Sequence, residues 1–326
     1  MSPIVQGMMT IVIGVGGCVG YFFFSNLILD KVIFPARGPN LSRNINRANM
    51  VRPWLFLLPA MSLLGLYLLY PVIGSFWRSL FNRAGDDFIG FDNYAVMFAD
   101  EGFQIAFFNN FLWVIFVPAT ATFLGLLVAQ LTDRLRWGNI AKSLIFMPMA
   151  ISFVGASLIW KFVYANNADI GLINALRDFF GAAEPLDVLQ VAFWNNFFLM
   201  VILVWIQTGF AMVILSAALR GIPEETVEAA IIDGANPIQV FFRIKVPQIM
   251  GTIVVVWTTI TILVLKVFDI VYTMTGGNFG TEILPSYMMS YMFRDDGRAT
   301  AVAFIIMIVV LPVMIWNIRQ ARAEMR

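Results

Sequence analysis

The chain has 326 residues, 60% of them hydrophobic and only 13% charged, with a formal net charge of +1 and a mean hydropathy of +0.81. This composition excludes a water-soluble globular protein and defines an integral membrane protein; the near-neutral balance implies no nucleic-acid partner. Histidine is absent, which removes the commonest metal ligand and proton shuttle, and the single cysteine, Cys18, excludes an intrachain disulfide and a cysteine-based zinc site.

A hydrocarbon core needs ~20 apolar residues per helix. Seven stretches meet that length, at about 4–29, 53–76, 106–131, 143–164, 194–219, 249–271 and 299–318, so the expected fold is all-α with about seven transmembrane helices. The first stretch carries no charge before Asp30, whereas a cleaved signal peptide has a basic start and a shorter core; it reads as a retained helix. Val15-Gly16-Gly17-Cys18 faintly resembles a lipoprotein cleavage site, but without a preceding Lys or Arg it leaves Cys18 as a small packing residue. Gly16 and Gly20 form a small-xxx-small pair. Residues 1–52 form an extra helix with a basic linker, and 53–326 the remaining core.

Lys and Arg in the short loops set the orientation. Lys31, Arg37, Arg43, Arg47 and Arg52 face one acid, Asp30, in 30–52; Arg134, Arg136 and Lys142 face Asp133 in 132–142; Arg319, Arg322 and Arg326 face Glu324 in the tail. The opposite loops are acidic: Asp86, Asp87, Asp92, Asp100 and Glu101 outnumber Arg78 and Arg83 in 77–105, and acids also outnumber arginines in 165–193 and 272–298. The basic loops are therefore expected inside, the N-terminus outside and the C-terminus inside. Within 165–193, Ile170, Leu172, Ile173 and Leu176 have helical spacing and suggest an amphipathic helix at the membrane surface. Pro59, Pro71, Pro118, Pro148 and Pro312 fall in or near spans and can kink them.

The fifth span carries Trp205, Gln207 and Phe210, the mixture of aromatic faces and amide groups that recognises sugars in a largely apolar pocket. Packing between helices is an equal reading for Trp205. Trp194, Asn195 and Asn196 read as interfacial anchors, and Lys161 as a snorkelling side chain. In the sixth span Lys266 and Asp269 are ionisable groups at membrane depth, functional by default. Their i, i+3 spacing on a continuous helix places them on one face. Contact with substrate and mutual pairing against a partner subunit stand side by side as readings.

Between the fifth and sixth spans, residues 220–248 form a polar island. Pro223 suits a first helical turn, Glu224 and Glu225 favour the positive end of the dipole, and Val227, Ala230 and Ile231 make one apolar face. Gly234 is the expected stop. A second helix starts at Asn236-Pro237 with Ile238, Phe241 and Phe242 on its apolar side, and ends near Pro247. Glu228-Ala229-Ala230, Asp233-Gly234-Ala235, then Ile244 and Val246-Pro247 resemble the cytoplasmic loop that importer-type ABC permeases fit into a cleft on their ATPase. An ordinary interfacial helix pair is the competing reading. Val246 stands where the family has Leu.

The resemblance continues through Thr275-Gly276-Gly277, Pro285, Tyr287, Tyr291, Phe293 and Gly297-Arg298-Ala299-Thr300-Ala301, which look like the outer loop and last-span entry of carbohydrate permeases of the maltose and α-glucoside type. Asn278 replaces the usual Pro. The resemblance covers about 53–320 and implies a six-helix permease core at 53–326, preceded by one additional helix. By it, the sugar pathway falls at Trp205, Ile206, Gln207, Phe210 and Lys266, with Asp269 one turn away. Leu203 stands where the maltose type has an asparagine, and Lys266 replaces an amide. The ATPase-coupling residues would be Glu228, Ala229, Ala230, Asp233, Gly234, Ala235, Ile244 and Pro247. Implied partners are a second homologous permease, two copies of an ABC ATPase, an extracytoplasmic sugar-binding protein and membrane lipid, in the bacterial inner membrane. No Gly-x-x-x-x-Gly-Lys-Ser/Thr loop occurs, so no cofactor and no ATPase site is expected in this chain; ATP and Mg belong on the partner ATPase. Alternatives are an ABC permease for another solute and an ion-coupled secondary carrier using Lys266 and Asp269.

Overall fold

The computed structural model describes residues 2–35, 41–133, 135–181 and 184–324, so Arg37, Arg134 and Arg326 of the charge reading lie outside the described residues. The fold is nearly all helical; the β-structure among these residues is an isolated bridge between Phe81 and Phe88. Contacts divide the chain into two compact units, Met1–Gly74 and Ser75–Arg326.

In the first unit, α1 (Pro3–Ile33) and most of α2 (Leu41–Arg78) are long, apolar helices. α2 starts well before residue 53, so 41–52 are helical. The helices meet through stacked Phe22 and Phe56, whose centroids lie 5.1 Å apart, and through an Asp30–Arg52 ion pair at 2.7 Å. Most of α1 is exposed all round, as a helix solvated by lipid should be. A Cβ on Gly16 would meet nothing within 4 Å. A widened turn at Gly65–Leu69 precedes Pro71 in α2 and absorbs the hydrogen bond that proline cannot make.

The second unit continues with α3 (Asp92–Ala99), α4 (Glu101–Thr132), α5 (Gly138–Ala150) and α6 (Phe153–Val163), α7 (Leu172–Phe179) and α8 (Trp194–Arg220). After these come α9 (Glu224–Ile232), α10 (Pro237–Gln248) and α11 (Met250–Val264), α12 (Asp269–Met274), α13 (Leu284–Tyr291) and α14 (Asp296–Glu324). Its core is the α4–α8 pair. A Cβ on Gly125 would stand 2.5 Å from Ala211 Cβ and 2.8 Å from Met212 N. Small residues therefore let the two backbones touch, which is how helices gain dispersion energy where no hydrophobic force separates protein from lipid. A smaller cluster of Met97, Phe103, Tyr287 and Val302 joins α3, α4, α13 and α14.

Two expected spans are broken and not continuous helices, which leaves five to seven candidate spans among the described residues. The stretch 143–164 is a pair of helices, α5 and α6, bent by 106°. Pro148 lacks an N–H, the chain tightens over Met147–Ala150, and Ser152 in extended conformation restarts a helix by accepting from Gly155 N at 3.1 Å. The stretch 249–271 stops at Val264 and resumes at Asp269. Asp269 sits in the first turn of α12, where the helix dipole favours a carboxylate. Lys266 lies in the intervening turn, so the pair does not share one helix face.

Candidate functional site

The loop joining α8 to α11 is built from local rules. α9 closes on Gly234, at φ +85°, with Ala235 N donating to Ala230 O at 2.9 Å and Gly234 N to Ile231 O at 3.0 Å, the paired bonds of a left-handed helix stop. Asn236 then opens α10 with a reciprocal capping box to Gln239. Glu228, Ala229, Asp233 and Pro247 are exposed, Ala230 is buried, and Ala235 and Ile244 are half-buried. The apolar faces expected to turn inward split: Val227 and Ala230 face the protein, whereas Ile231, Ile238 and Phe242 are exposed. Ile232 is 85% exposed. A hydrogen-bonded helix–glycine–helix element thus presents bulky apolar side chains beside the carboxylates of Glu228 and Asp233.

Above its root, Asp133 at the end of α4 binds Lys142 of α5, Arg220 of α8 at 3.1 Å and Ser216 Oγ at 3.1 Å. Burial alone would raise the Asp133 carboxyl, but hydrogen bonds from Lys142, Ser216 and Arg220 outweigh it and hold the group below its usual range. In the sequence, Asp133 and Lys142 stand out only as loop charges.

A cavity of about 410 Å³ is lined by Met149, Ile151, Ser152, Phe153 and Val154 around the α5–α6 break, Ile206 and Gln207 of α8, Leu263 of α11 and Asp269 of α12. Gln207 is the middle residue of α8, is 4% exposed and makes no side-chain hydrogen bond among the described residues. The structure brings Ile206, Gln207 and Asp269 together and leaves the other sequence candidates outside the lining. Trp205 packs edge-on against Trp160 of α6 at 5.9 Å, Phe210 packs on the α4–α8 core, and Lys266 is exposed and pairs with no acid among the described residues. Thr208 satisfies itself on Val204 O at 2.7 Å.

At the other end of the bundle, asparagines clamp the Gly-Gly loop. Asn109 donates to Gly280 O and Glu282 O at 2.8 Å each, Asn110 accepts from Leu284 N at 3.2 Å, and Asn195 donates to Phe279 O at 2.8 Å. Asn195 and Asn196 are therefore buried loop holders rather than surface anchors, while Trp194 remains exposed. The loop needs them because its backbone turns through positive φ at Gly276, Gly277, Phe279 and Gly280, exposing carbonyls that no helix satisfies. A Cβ on Gly102 would stand 3.0 Å from Asp100 Oδ1 and 3.8 Å from Glu282 Oε2, so two carboxylates flank one glycine. Burial, and then the Asp100 charge, push the Glu282 carboxyl from 4.5 up to about 7. A raised folded-state value means that this group's stabilising contribution is complete below about pH 4.5 and is lost as pH rises through about 7. Melting temperature should fall between about pH 4.5 and about pH 7, and Glu282→Gln should flatten that slope; an unchanged slope in the variant would refute the assignment.

A model of the family described as binding-protein-dependent transport system inner membrane component matches residues 121–323. The alpha-glucoside transport system permease protein AglF of Rhizobium meliloti is 58% identical over 334 residues, spanning 99% of this chain and 99% of that protein. The osmoprotective compounds uptake permease protein GgtC of Synechocystis sp. is 48% identical over 276 residues, spanning 83% of this chain and 99% of that one. Among solved structures, the chain is similar to one from a bacterial ABC transporter involved in the import of the acidic polysaccharide alginate, with a TM-score of 0.71, 22% identity and coverage of 88% of this chain and 100% of that chain. At that identity the likeness shows the shared fold.

Proposed function

The chain belongs to the family of binding-protein-dependent transport system inner membrane components and is a multi-pass permease subunit of a sugar ABC importer; from that premise we propose that its cargo is an oligosaccharide or α-glucoside. The observation that carries the cargo is the 58% identity to an alpha-glucoside permease along essentially the whole of both chains. The mid-span cavity adds a chemical reason, since Gln207 and Asp269 offer an amide and a carboxylate to hydroxyl groups among apolar walls. In this reading α9 and α10 face the cytoplasm, as the Lys and Arg distribution requires, and dock on an ATPase that holds ATP and Mg. A second homologous permease, a second ATPase copy and an extracytoplasmic sugar-binding protein complete the importer in the bacterial inner membrane. This chain supplies half of the pathway and receives work from its partners as displacement of the loop.

Purification from a native host should recover these partners, and the complex rebuilt in liposomes should take up neutral glucosides when ATP is supplied. Gln207→Ala combined with Asp269→Asn should cut uptake roughly 10- to 100-fold, the loss of about 1.4 to 2.8 kcal/mol of hydrogen bonding to the cargo, with stimulated ATP hydrolysis retained. A complex that carries amino acids but no sugar would overturn the reading. The 48% relative named for osmoprotective compounds supports a second cargo class, and competition between such compounds and glucosides for uptake ranks the two.

A further inference from the structure

The cavity has a wall that the candidate residues did not include, the break between α5 and α6. It lies at mid-span: a Cβ on Gly209, two residues beyond Gln207, would stand 2.7 Å from Ile145 O and 2.9 Å from Phe146 Cα, so the end of α5 packs on the centre of α8. Irregular backbone at that depth persists only where it is buried in protein or lines a water-filled cavity. Here Ile151 and Ser152, both extended, line the cavity with Phe153 and Val154. Ser152 Oγ takes Gly155 N, and among the described residues the N–H groups of Ser152, Phe153 and Val154 have no acceptor. The start of α6 therefore brings free donors and the positive end of a helix dipole to the cavity. The unpartnered amide of Gln207, a residue 4% exposed, lines the same cavity, and the one ionisable lining residue is the acid Asp269.

We propose that the N-terminus of α6 is a donor wall of the cargo site, its free backbone N–H groups binding sugar oxygens while Asp269 accepts from a sugar hydroxyl. The proposal deepens the sugar-pathway reading and rests on it. Donors on one side and a single carboxylate on the other suit a neutral polyhydroxylated ring, in which each hydroxyl can both accept and donate. An acidic saccharide would place a second negative charge beside Asp269.

Proline at the first position of a helix removes the N–H without disturbing the helix, and the extended Ser152 before it is compatible. Phe153→Pro and Phe153→Ala therefore both lose the ring, and differ in the donor. In the assembled complex in liposomes, with maltose, trehalose and sucrose as neutral probes and maltobionate as an anionic one, Phe153→Pro should transport neutral probes about tenfold more slowly than Phe153→Ala. Wild type should prefer maltose to maltobionate, and Asp269→Asn should narrow that preference. Co-purification of partners establishes that both Phe153 variants assemble. As a direct check of proximity, Ser152→Cys and Gln207→Cys in a Cys18→Ser background should each react with a small water-soluble thiol reagent and be protected by the transported sugar. Equal uptake by the proline and alanine variants, or protection at Gln207→Cys without protection at Ser152→Cys, overturns the donor wall and leaves the pathway standing. Loss of protection at both positions, in a complex that still transports sugar, removes the pathway reading along with it.

Discussion

Replacement of Gly234 by valine is expected to leave the permease inserted and assembled but to bring sugar uptake and cargo-stimulated ATP hydrolysis to background. The reason is local. Gly234 holds φ +85°, and a Cβ there would meet nothing within 4 Å, so the substitution acts through the backbone and not by collision. An L-residue in the left-handed region costs roughly 1–2 kcal/mol, and a β-branched one more. That is enough to shift the turn toward other conformations by about 5- to 30-fold. The bonds from Ala235 N to Ala230 O and from Gly234 N to Ile231 O would open, and α9 would lose its fixed angle to α10. The exposed Ile232 and Phe242 then no longer present one surface to the proposed ATPase partner. Gly234→Asn, which tolerates the left-handed region, should retain much of the activity, and Gly234→Ala should fall between. Full uptake by Gly234→Val would sink the coupling assignment. Glu228→Lys tests the same surface by charge: the side chain is exposed, so reversal should leave folding intact and lose uptake.

Asp133→Ala should be the most destabilising single change at the junction of α4, α5 and α8. It removes the counter-charge of Lys142, whose side chain is 13% exposed and keeps only Ser216 Oγ as a hydrogen-bond partner, and an uncompensated buried charge is destabilising by about 3–5 kcal/mol. Arg220, 60% exposed at its side chain, stays solvated and contributes little to the loss. Thermal unfolding of the purified protein should show a markedly lower midpoint, and Asp133→Leu with Lys142→Met should recover most of it, because an apolar pair of similar volume needs no charge compensation. An Asp133→Ala midpoint equal to wild type would show that water reaches Lys142. The pH sign is opposite to that of Glu282. The Asp133 value is lowered, so its contribution is complete above the ordinary carboxylate range of about 3.8 and is lost only as pH falls through the still lower folded value. Across neutral pH the slope belongs to Glu282 alone among these two carboxyls.

What the sequence by itself determined is whatever depends on composition and on neighbours a few residues away. Runs of some twenty apolar side chains must be helices in lipid, because no water is there to take a bare N–H or C=O. The helix–glycine–helix loop was legible for a similar reason: the stop at Gly234 and the start at Asn236-Pro237 are set by φ preference and by capping, which act within a single turn. Its spacing, with Glu228 and Asp233 in place, resembled one family, and the chain belongs to it.

Tertiary structure decided where spans break and which polar groups meet. Hydropathy has no sense of backbone direction, so 143–164 and 249–271 each read as one span, with Pro148 able to kink the first, although Ser152 and Asp269 favour ends rather than middles. That the α5–α6 break lies beside Gln207 depends on Gly209 letting the backbone of α5 approach α8, a contact between residues far apart in sequence. The same holds for the cargo candidates. Trp205, Gln207 and Phe210 sit within a turn and a half of one helix, yet one packs on Trp160, one lines the cavity and one joins the core, because successive residues on a helix point about 100° apart and only the neighbours settle what each direction means. Lys266 and Asp269 were expected to share a face; the chain turns between them. Asn109 is silent in the sequence and Asn195 reads there as an interfacial anchor for the opposite reason: an amide declares its role only when the carbonyl it satisfies, at Gly280 or Phe279, has been folded against it.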